Sequence, residues 1–206
     1  MEKRWMRCEE SISCPRYLLA ADTYTYYLLE YVSGGSYKQF PGVSCVCNFK
    51  MPVEAKHEYR WDYKQEAIHY FANQIILGIN PPRDDTILIP MPTSKPRRHP
   101  EFDSRLDDVV NIIYHTTGQQ IGFNFDVKQD ALAYHNSGAP RNPAAIMDNI
   151  YFTPFQTRPP LNIVLIDDVV TTGAHFLACE RILKQAEPSA TVTGLFLAKT
   201  TWMQNA

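Results

Sequence analysis

The chain has 206 residues, enough to bury one substantial core with a small addition, and it does not need disulfide or metal staples. Hydrophobic residues make up 45% and charged residues 20%, which excludes a disordered or fibrous protein. Lys and Arg total 20 against 22 Asp and Glu, so the formal net charge of -2 argues against a nucleic-acid partner, and no run of about 18 apolar residues is present to span a bilayer. The N-terminal stretch Met1-Glu2-Lys3-Arg4-Trp5 lacks the apolar run of a signal peptide, and the protein is read as cytoplasmic.

Tyr, Val and Phe over residues 22–50, interrupted by Ser33-Gly34-Gly35-Ser36, predict two strands joined by a turn, a small β-rich N-terminal element. Cys45 and Cys47 alternate with Val43 and Phe49, which places all four on one face of the second strand, where free Cys packs as a small hydrophobe. The alternative is a zinc site drawing on Cys8, Cys14, Cys45 and Cys47. An odd total of five cysteines without a CxxC pair argues against a disulfide framework. Between residues 63 and 77, Ala67, Ile68, Phe71, Ile75 and Ile76 recur at helical spacing, and Asn80-Pro81-Pro82 ends that helix.

Beyond this boundary short apolar runs alternate with helical stretches, the pattern of an α/β parallel sheet flanked by helices. Strands are predicted over residues 86–90, 125–134, 149–152, 162–167 and 191–197. Helices are predicted over residues 102–117, with Leu106, Val109, Val110, Ile113 and Tyr114 on one side, and over residues 174–186. Residues 134–147, with His135, Asn136, Ser137, Gly138, Pro140, Asn142 and Pro143, read as a long loop. The expected organisation is an N-terminal element over residues 1–60 and an α/β domain over residues 61–206.

One segment carries chemistry. Asn162-Ile163-Val164-Leu165-Ile166 has the continuous apolar run of a central parallel strand, and Asp167-Asp168 follow at its carboxyl end, a solvent-accessible position where open α/β sheets bind ligands. Val169-Val170-Thr171-Thr172-Gly173-Ala174-His175 then supplies hydroxyls, a flexible Gly and the start of a helix. Orphan amides and the positive dipole end there attract phosphate. Carboxylates beside a phosphate need another partner, and ribose hydroxyls can donate to them. Simple helix capping by the two Asp is the plainer alternative. No GxxxxGK[ST] is present, and Val169 stands where a DxDx[TV] phosphatase would need its second Asp. His69, His99, His115 and His135 have no HxH or HExxH spacing and read as ordinary surface or helix residues.

Val164-Leu165-Ile166-Asp167-Asp168-Val169-Val170-Thr171-Thr172-Gly173 closely resembles the phosphoribosyl-pyrophosphate signature of type I phosphoribosyltransferases. More narrowly, residues 84–200 resemble the ComF-like branch, with Ile89-Pro90-Met91-Pro92 after a strand and Asn149-Ile150-Tyr151-Phe152 before the signature strand. The resemblance implies a type I phosphoribosyltransferase-like sheet, with residues 1–60 as a candidate hood. Asp167 and Asp168 would be the catalytic pair holding the ribose 2- and 3-hydroxyls, and Val170, Thr171, Thr172, Gly173, Ala174 and His175 would wrap the 5-phosphate. The pyrophosphate loop would fall on Thr93, Ser94, Lys95, Arg97 and Arg98, and a mobile covering loop on residues 134–147, with Arg141 as its cation. A solvated basic turn and an ordinary surface loop are the alternatives for those two segments.

The activity implied is transfer of ribose 5-phosphate from 5-phosphoribosyl-1-pyrophosphate to a nitrogen acceptor with release of pyrophosphate, the work of a pentosyltransferase. The transition state would be oxocarbenium-like, and Mg2+ would be held mainly by the substrate near Asp167 and Asp168. The chain departs from the family at His175, where a Thr or Ser is usual, at Met147-Asp148, where ComF-like relatives carry basic residues, and at Phe102-Asp103, which replaces an RGFNQ-like run. The zinc ribbon of many ComF-like proteins is not expected at the N-terminus. Two further readings stand beside the enzyme: a regulatory module that senses the same ligand without turnover, and a ComF-like partner in DNA uptake or a mobile-element system. The acceptor and the oligomeric state are left open, with a homodimer as the candidate assembly.

Overall fold

The structure is a computed structural model that describes residues 5–8, 18–20, 22–79, 81–130, 142–156 and 160–202. In chain order its elements are β1 (Met6–Arg7), β2 (Thr25–Ser33), α1 (Pro41–Phe49), a 3-10 turn (Val53–His57), α2 (Trp61–Ile79), β3 (Thr86–Pro90), α3 (Arg105–Thr117), β4 (Phe125–Val127), α4 (Pro143–Asn149), β5 (Ile150–Phe152), β6 (Asn162–Val170), α5 (Ala174–Ala186) and β7 (Thr191–Trp202). The main sheet runs β1-β2-β7-β6-β3. Its four long strands are mutually parallel and only β1 is antiparallel. Among the described residues no helix is long and apolar enough to cross a membrane.

The α/β class expected from the alternation of apolar runs and amphipathic stretches is the class observed. Period-2 burial builds the sheet: Ile163 and Leu165 of β6 enter one core with Phe176, Cys179 and Leu183 of α5, while Val164 and Ile166 face a second core with α2 and α3. Burial on both faces explains why β6 reads as a continuous aliphatic run. Helix α2 buries Ala67, Ile68, Phe71 and Ile75, and α3 buries Leu106, Val109, Val110 and Ile113.

Three expectations need correction. Residues 41–49 are not a second strand but α1. The extended Phe40 is followed by Pro41 at the first helical position, and Val43, Val46 and Phe49 are buried at a spacing of three, which fits a helix against the sheet. Cys45 and Cys47 consequently diverge, one half-buried and the other exposed, instead of sharing a strand face with Val43 and Phe49. Strand β4 stops at Val127 and pairs antiparallel with β5 in a separate two-stranded sheet, with the Phe125 and Phe152 rings in tilted contact at 5.1 Å, rather than joining the parallel sheet. The end of the predicted loop is α4, opened by Asn142, whose side chain accepts from the Ala144 amide, and by Pro143. Residues 131–141 lie outside the described residues, and so does most of that loop.

The N-terminal residues contribute directly to the main sheet. Strand β2 pairs with β7 from Thr25↔Gly194 to Ser33↔Trp202. Helix α1 lies close against β2: a Cβ on Gly42 would sit 2.1 Å from the Glu30 carbonyl oxygen, a backbone atom that cannot swing away. Gly42→Ala should therefore lower stability by roughly 1–3 kcal/mol. Urea denaturation would read this as a lower midpoint at unchanged slope, and an unchanged midpoint would mean that α1 is not packed this closely.

Candidate functional site

The segment singled out in the sequence forms a strand-to-helix junction. Strand β6 stays extended through Val170, three residues past the end predicted from its apolar run, and it continues beyond β3, whose last residue Pro90 pairs with Ile166. Asp167 and Asp168 therefore lie inside a strand and leave it on opposite faces. On the α5 side, Oδ2 of Asp167 lies 3.1 Å from Nδ1 of His175, and its Oδ1 accepts from the Asp168 amide. On the side of α1 and α3, Oδ2 of Asp168 accepts from Nη2 of Arg105 at 2.6 Å, and Oδ1 takes Nζ of Lys50 at 3.3 Å and the Val169 amide at 2.6 Å.

Neither carboxylate has the expected solvent access: Asp167 is 9% exposed and Asp168 6%. Period-2 geometry and the packing of α3 over this end of the sheet account for the difference. Burial alone would raise the Asp168 carboxyl, but the Arg105 guanidinium and then Lys50 outweigh it and hold the group well below the usual carboxylate range. Burial would likewise lower Arg105, yet Asp168 and Asp103 keep it above its ordinary value.

A chain of charges continues from this pair. Arg105 also donates through Nη1 to Asp103 at 2.7 Å, and Asp103 accepts from Nζ of Lys64 at 2.7 Å. Lys64 is buried in α2 and also donates to the carbonyls of Phe49 and Met51. Burial lowers the Lys64 ammonium, and Asp103 offsets this only in part. The result is a line of alternating charge, Lys64, Asp103, Arg105, Asp168 and Lys50, that ties the end of α1, the body of α2, the start of α3 and β6 together.

Around the loop after β6, Gly173 adopts φ 83 and precedes α5, which carries no side-chain cap from that residue. The Thr172 hydroxyl accepts from the Ala174 amide at 3.3 Å, and the Thr171 hydroxyl lies 3.3 Å from that of Thr200. The next amides, those of His175 and Phe176, have no acceptor within the helix. Leu18 donates its amide to the Thr172 carbonyl, and Leu19 packs where a Gly173 side chain would stand. Val170 and Ala174 are buried in the core, so their side chains are not offered to a ligand, whereas Thr171, Thr172 and His175 are half-buried.

The predicted pyrophosphate loop divides. Thr93, Ser94 and Lys95 line a cleft of about 180 Å³ together with Glu54, Glu101, Asp103 and Arg105. Arg97 turns away from it: its guanidinium grips Asp107 at 2.7 Å and the Phe125 carbonyl, a strut between α3 and β4. Arg98 is exposed and donates to the Lys128 carbonyl. Lys95 is ion-paired with Glu101. Arg141 lies outside the described residues. Asp148 lies in the last turn of α4, where its carbonyl accepts from Lys128.

Sequence reasoning missed Arg105, Lys64, Asp103, Lys50 and Leu19. Lys64 had a legible signal, because it sits on the apolar stripe three, four and seven residues before Ala67, Ile68 and Phe71, where a buried charge needs partners. Arg105 had none, since its partner Asp168 is 63 residues away in the chain. Among the described residues no cluster of His, Cys, Asp or Glu is placed to hold a metal ion.

Neither a family model nor a curated protein matches the chain. A solved structure, the Helicobacter pylori xanthine-guanine-hypoxanthine phosphoribosyltransferase, matches over 69% of this chain and 88% of that one, at 10% identity and a TM-score of 0.40. The functional reading therefore rests on the residues of the junction itself.

Two outcomes follow from this geometry. Gly173→Ala should destabilise by more than about 1 kcal/mol, because the left-handed backbone and the Leu19 side chain, 2.3 Å from where the new Cβ would stand, both oppose it; thermal melting reads this directly. Asp168→Asn should cost roughly 3–5 kcal/mol near neutral pH by removing one of the two carboxylates that neutralise the buried Arg105 guanidinium. Because Asp168 titrates lower in the folded chain than in the unfolded one, its contribution is present above the ordinary carboxylate pKa of about 4 and is lost as pH falls from there. Denaturation curves of the two proteins should converge toward acid, and a constant gap between them would remove Asp168 from the acid response.

Proposed function

We propose that the chain binds 5-phosphoribosyl-1-pyrophosphate at the β6–α5 junction and transfers its ribose 5-phosphate to a nitrogen acceptor with release of pyrophosphate. The observation that supports this reading is the junction itself. An acidic pair precedes two Thr and a positive-φ Gly, and these run directly into the start of a 13-residue helix that takes no side-chain cap from Gly173, past the end of the neighbouring strand β3.

On this reading the amides at the start of α5, with the hydroxyls of Thr171 and Thr172, take the 5-phosphate. His175, half-buried and beside Asp167, replaces the hydroxyl usual at that place and adds a donor to phosphate whenever it is protonated. Asp168 faces the side of Thr93, Ser94, Lys95 and Arg105 and is the carboxylate for the ribose hydroxyls, with the diphosphate in the cleft those residues line. Residues 1–60 reach this side through Lys50, which is why we place the acceptor between the N-terminal element and the cleft.

Mg2+ takes oxygen ligands, and both oxygens of Asp168 already have cationic or amide partners. The residues present thus offer the ion little of their own, which fits a metal delivered on the diphosphate. When bound it would neutralise charge on the departing pyrophosphate.

The test follows pyrophosphate release from Mg2+ and 5-phosphoribosyl-1-pyrophosphate across purine, pyrimidine and amine acceptors. Release is expected with one acceptor class, and Asp167→Asn with Asp168→Asn should reduce it at least about a hundredfold. A second reading, a sensor that binds the same ligand without turnover, is favoured by the ion pairs that already occupy Asp168. It predicts a raised melting temperature without release, worth about 2.7 kcal/mol at 100 times the dissociation constant. Absence of both effects rejects the ligand.

A further inference from the structure

One side chain stands between the two halves of the proposed ligand. The guanidinium of Arg105 gives Nη2 to Asp168 and Nη1 to Asp103, while its buried Nε has no acceptor among the described residues. The same side chain lines the cleft with Thr93, Ser94 and Lys95. In this arrangement Asp168 is closed to a sugar hydroxyl because Arg105 occupies it. The cleft is closed to a strong anion for a related reason: Lys95 is paired with Glu101, and Arg105 is shared between two carboxylates.

A guanidinium has five N–H donors in a fixed fork and binds phosphate in a bidentate way, so an anion in the cleft competes directly for it. The buried Nε has no bond of its own to lose and supplies one arm of such a fork once the side chain turns toward the cleft. Asp168 would not be stranded when Arg105 leaves, because Lys50, half-exposed and 3.3 Å away, keeps a cation on Oδ1.

We propose that Arg105 makes recognition conditional: a diphosphate entering the cleft draws the guanidinium from Asp168, and only then does that carboxylate accept from a ribose diol. The diol half rests on the function proposed above, whereas the anion half stands on the cleft alone. The ligand class selected is one that carries a vicinal diol and a diphosphate in the same molecule. Ribose 5-phosphate and pyrophosphate each satisfy half of the requirement, and each should help the other to bind.

Calorimetric titration of the full chain tests this with ribose 5-phosphate, with inorganic pyrophosphate and Mg2+, and with each in the presence of the other. In the wild type, pyrophosphate should tighten ribose 5-phosphate binding about tenfold. Arg105→Gln should bind ribose 5-phosphate alone more tightly than the wild type, should bind pyrophosphate several-fold more weakly, and should lose the coupling. Arg105→Lys keeps a charge against Asp103 and Asp168 but has no fork. It serves if the Gln variant does not fold, with the coupling expected to fall several-fold. Pyrophosphate binding that is indifferent to Arg105, or weakening of both ligands together, overturns the conditional mechanism and leaves the ribose reading standing. Arg105-dependent pyrophosphate binding with no ribose 5-phosphate binding by any of the proteins overturns the ribose reading and the coupling with it.

Discussion

The ion pair between Arg105 and Asp168 is the contact on which the arrangement of this end of the molecule depends. It joins the first residue of α3 to the interior of β6 across 63 residues of chain, and it is the centre of a line of charge that begins at Lys64 and ends at Lys50. Lys64, Asp103, Arg105 and Asp168 are buried or half-buried and only Lys50, at the end of the line, is exposed, so each inner member needs its neighbours: removing one strands a charge in a poorly solvated place, which costs far more than an exposed pair contributes. Helices α1, α2 and α3 are thereby fixed against the sheet not by apolar packing alone but by a set of mutually dependent ions.

The same line explains why the junction is two-sided. An extended strand sends successive side chains to opposite faces, and the two Asp of β6 obey this. Asp167 belongs with α5, His175 and the loop that carries Thr171, Thr172 and Gly173. Asp168 belongs with α3, Arg105 and the cleft beside Thr93 and Lys95. A molecule that touched both carboxylates would have to reach around β6 where β3 has already stopped. Leu19, packed on Gly173, brings the N-terminal residues into the same construction.

Much of the fold was legible because it follows from local periodicity. Ile163 and Leu165 alternate with Val164 and Ile166, Ala67 to Ile75 recur at helical spacing, and Thr86–Pro90 and Ala174–Ala186 have the bounds that their composition implies. The failures were also local. Val43, Cys45, Cys47 and Phe49 satisfy a strand pattern and, with Val46, a helical one. The choice was made by Pro41 and by the close seat that Gly42 allows against Glu30. The aromatic run near Phe125 has the composition of a sheet strand, but it pairs with Ile150–Phe152 outside the main sheet.

By itself the sequence determined the α/β class, the placement of the acidic pair before Thr171, Thr172 and Gly173, and the helix that receives them, since all of these are set by residues within a few positions of one another. Only the tertiary structure decided what those groups face. Arg105, Lys50 and Lys64 are ordinary charged residues in the sequence and become partners of the site because the sheet order brings distant elements together. Arg97, equally basic and itself part of the predicted pyrophosphate loop, is turned to Asp107 and Phe125 by the same packing. The physical reason is range: backbone propensity acts over a turn or two, whereas the burial and pairing of charge are settled by whichever side chains the finished fold places within about 4 Å.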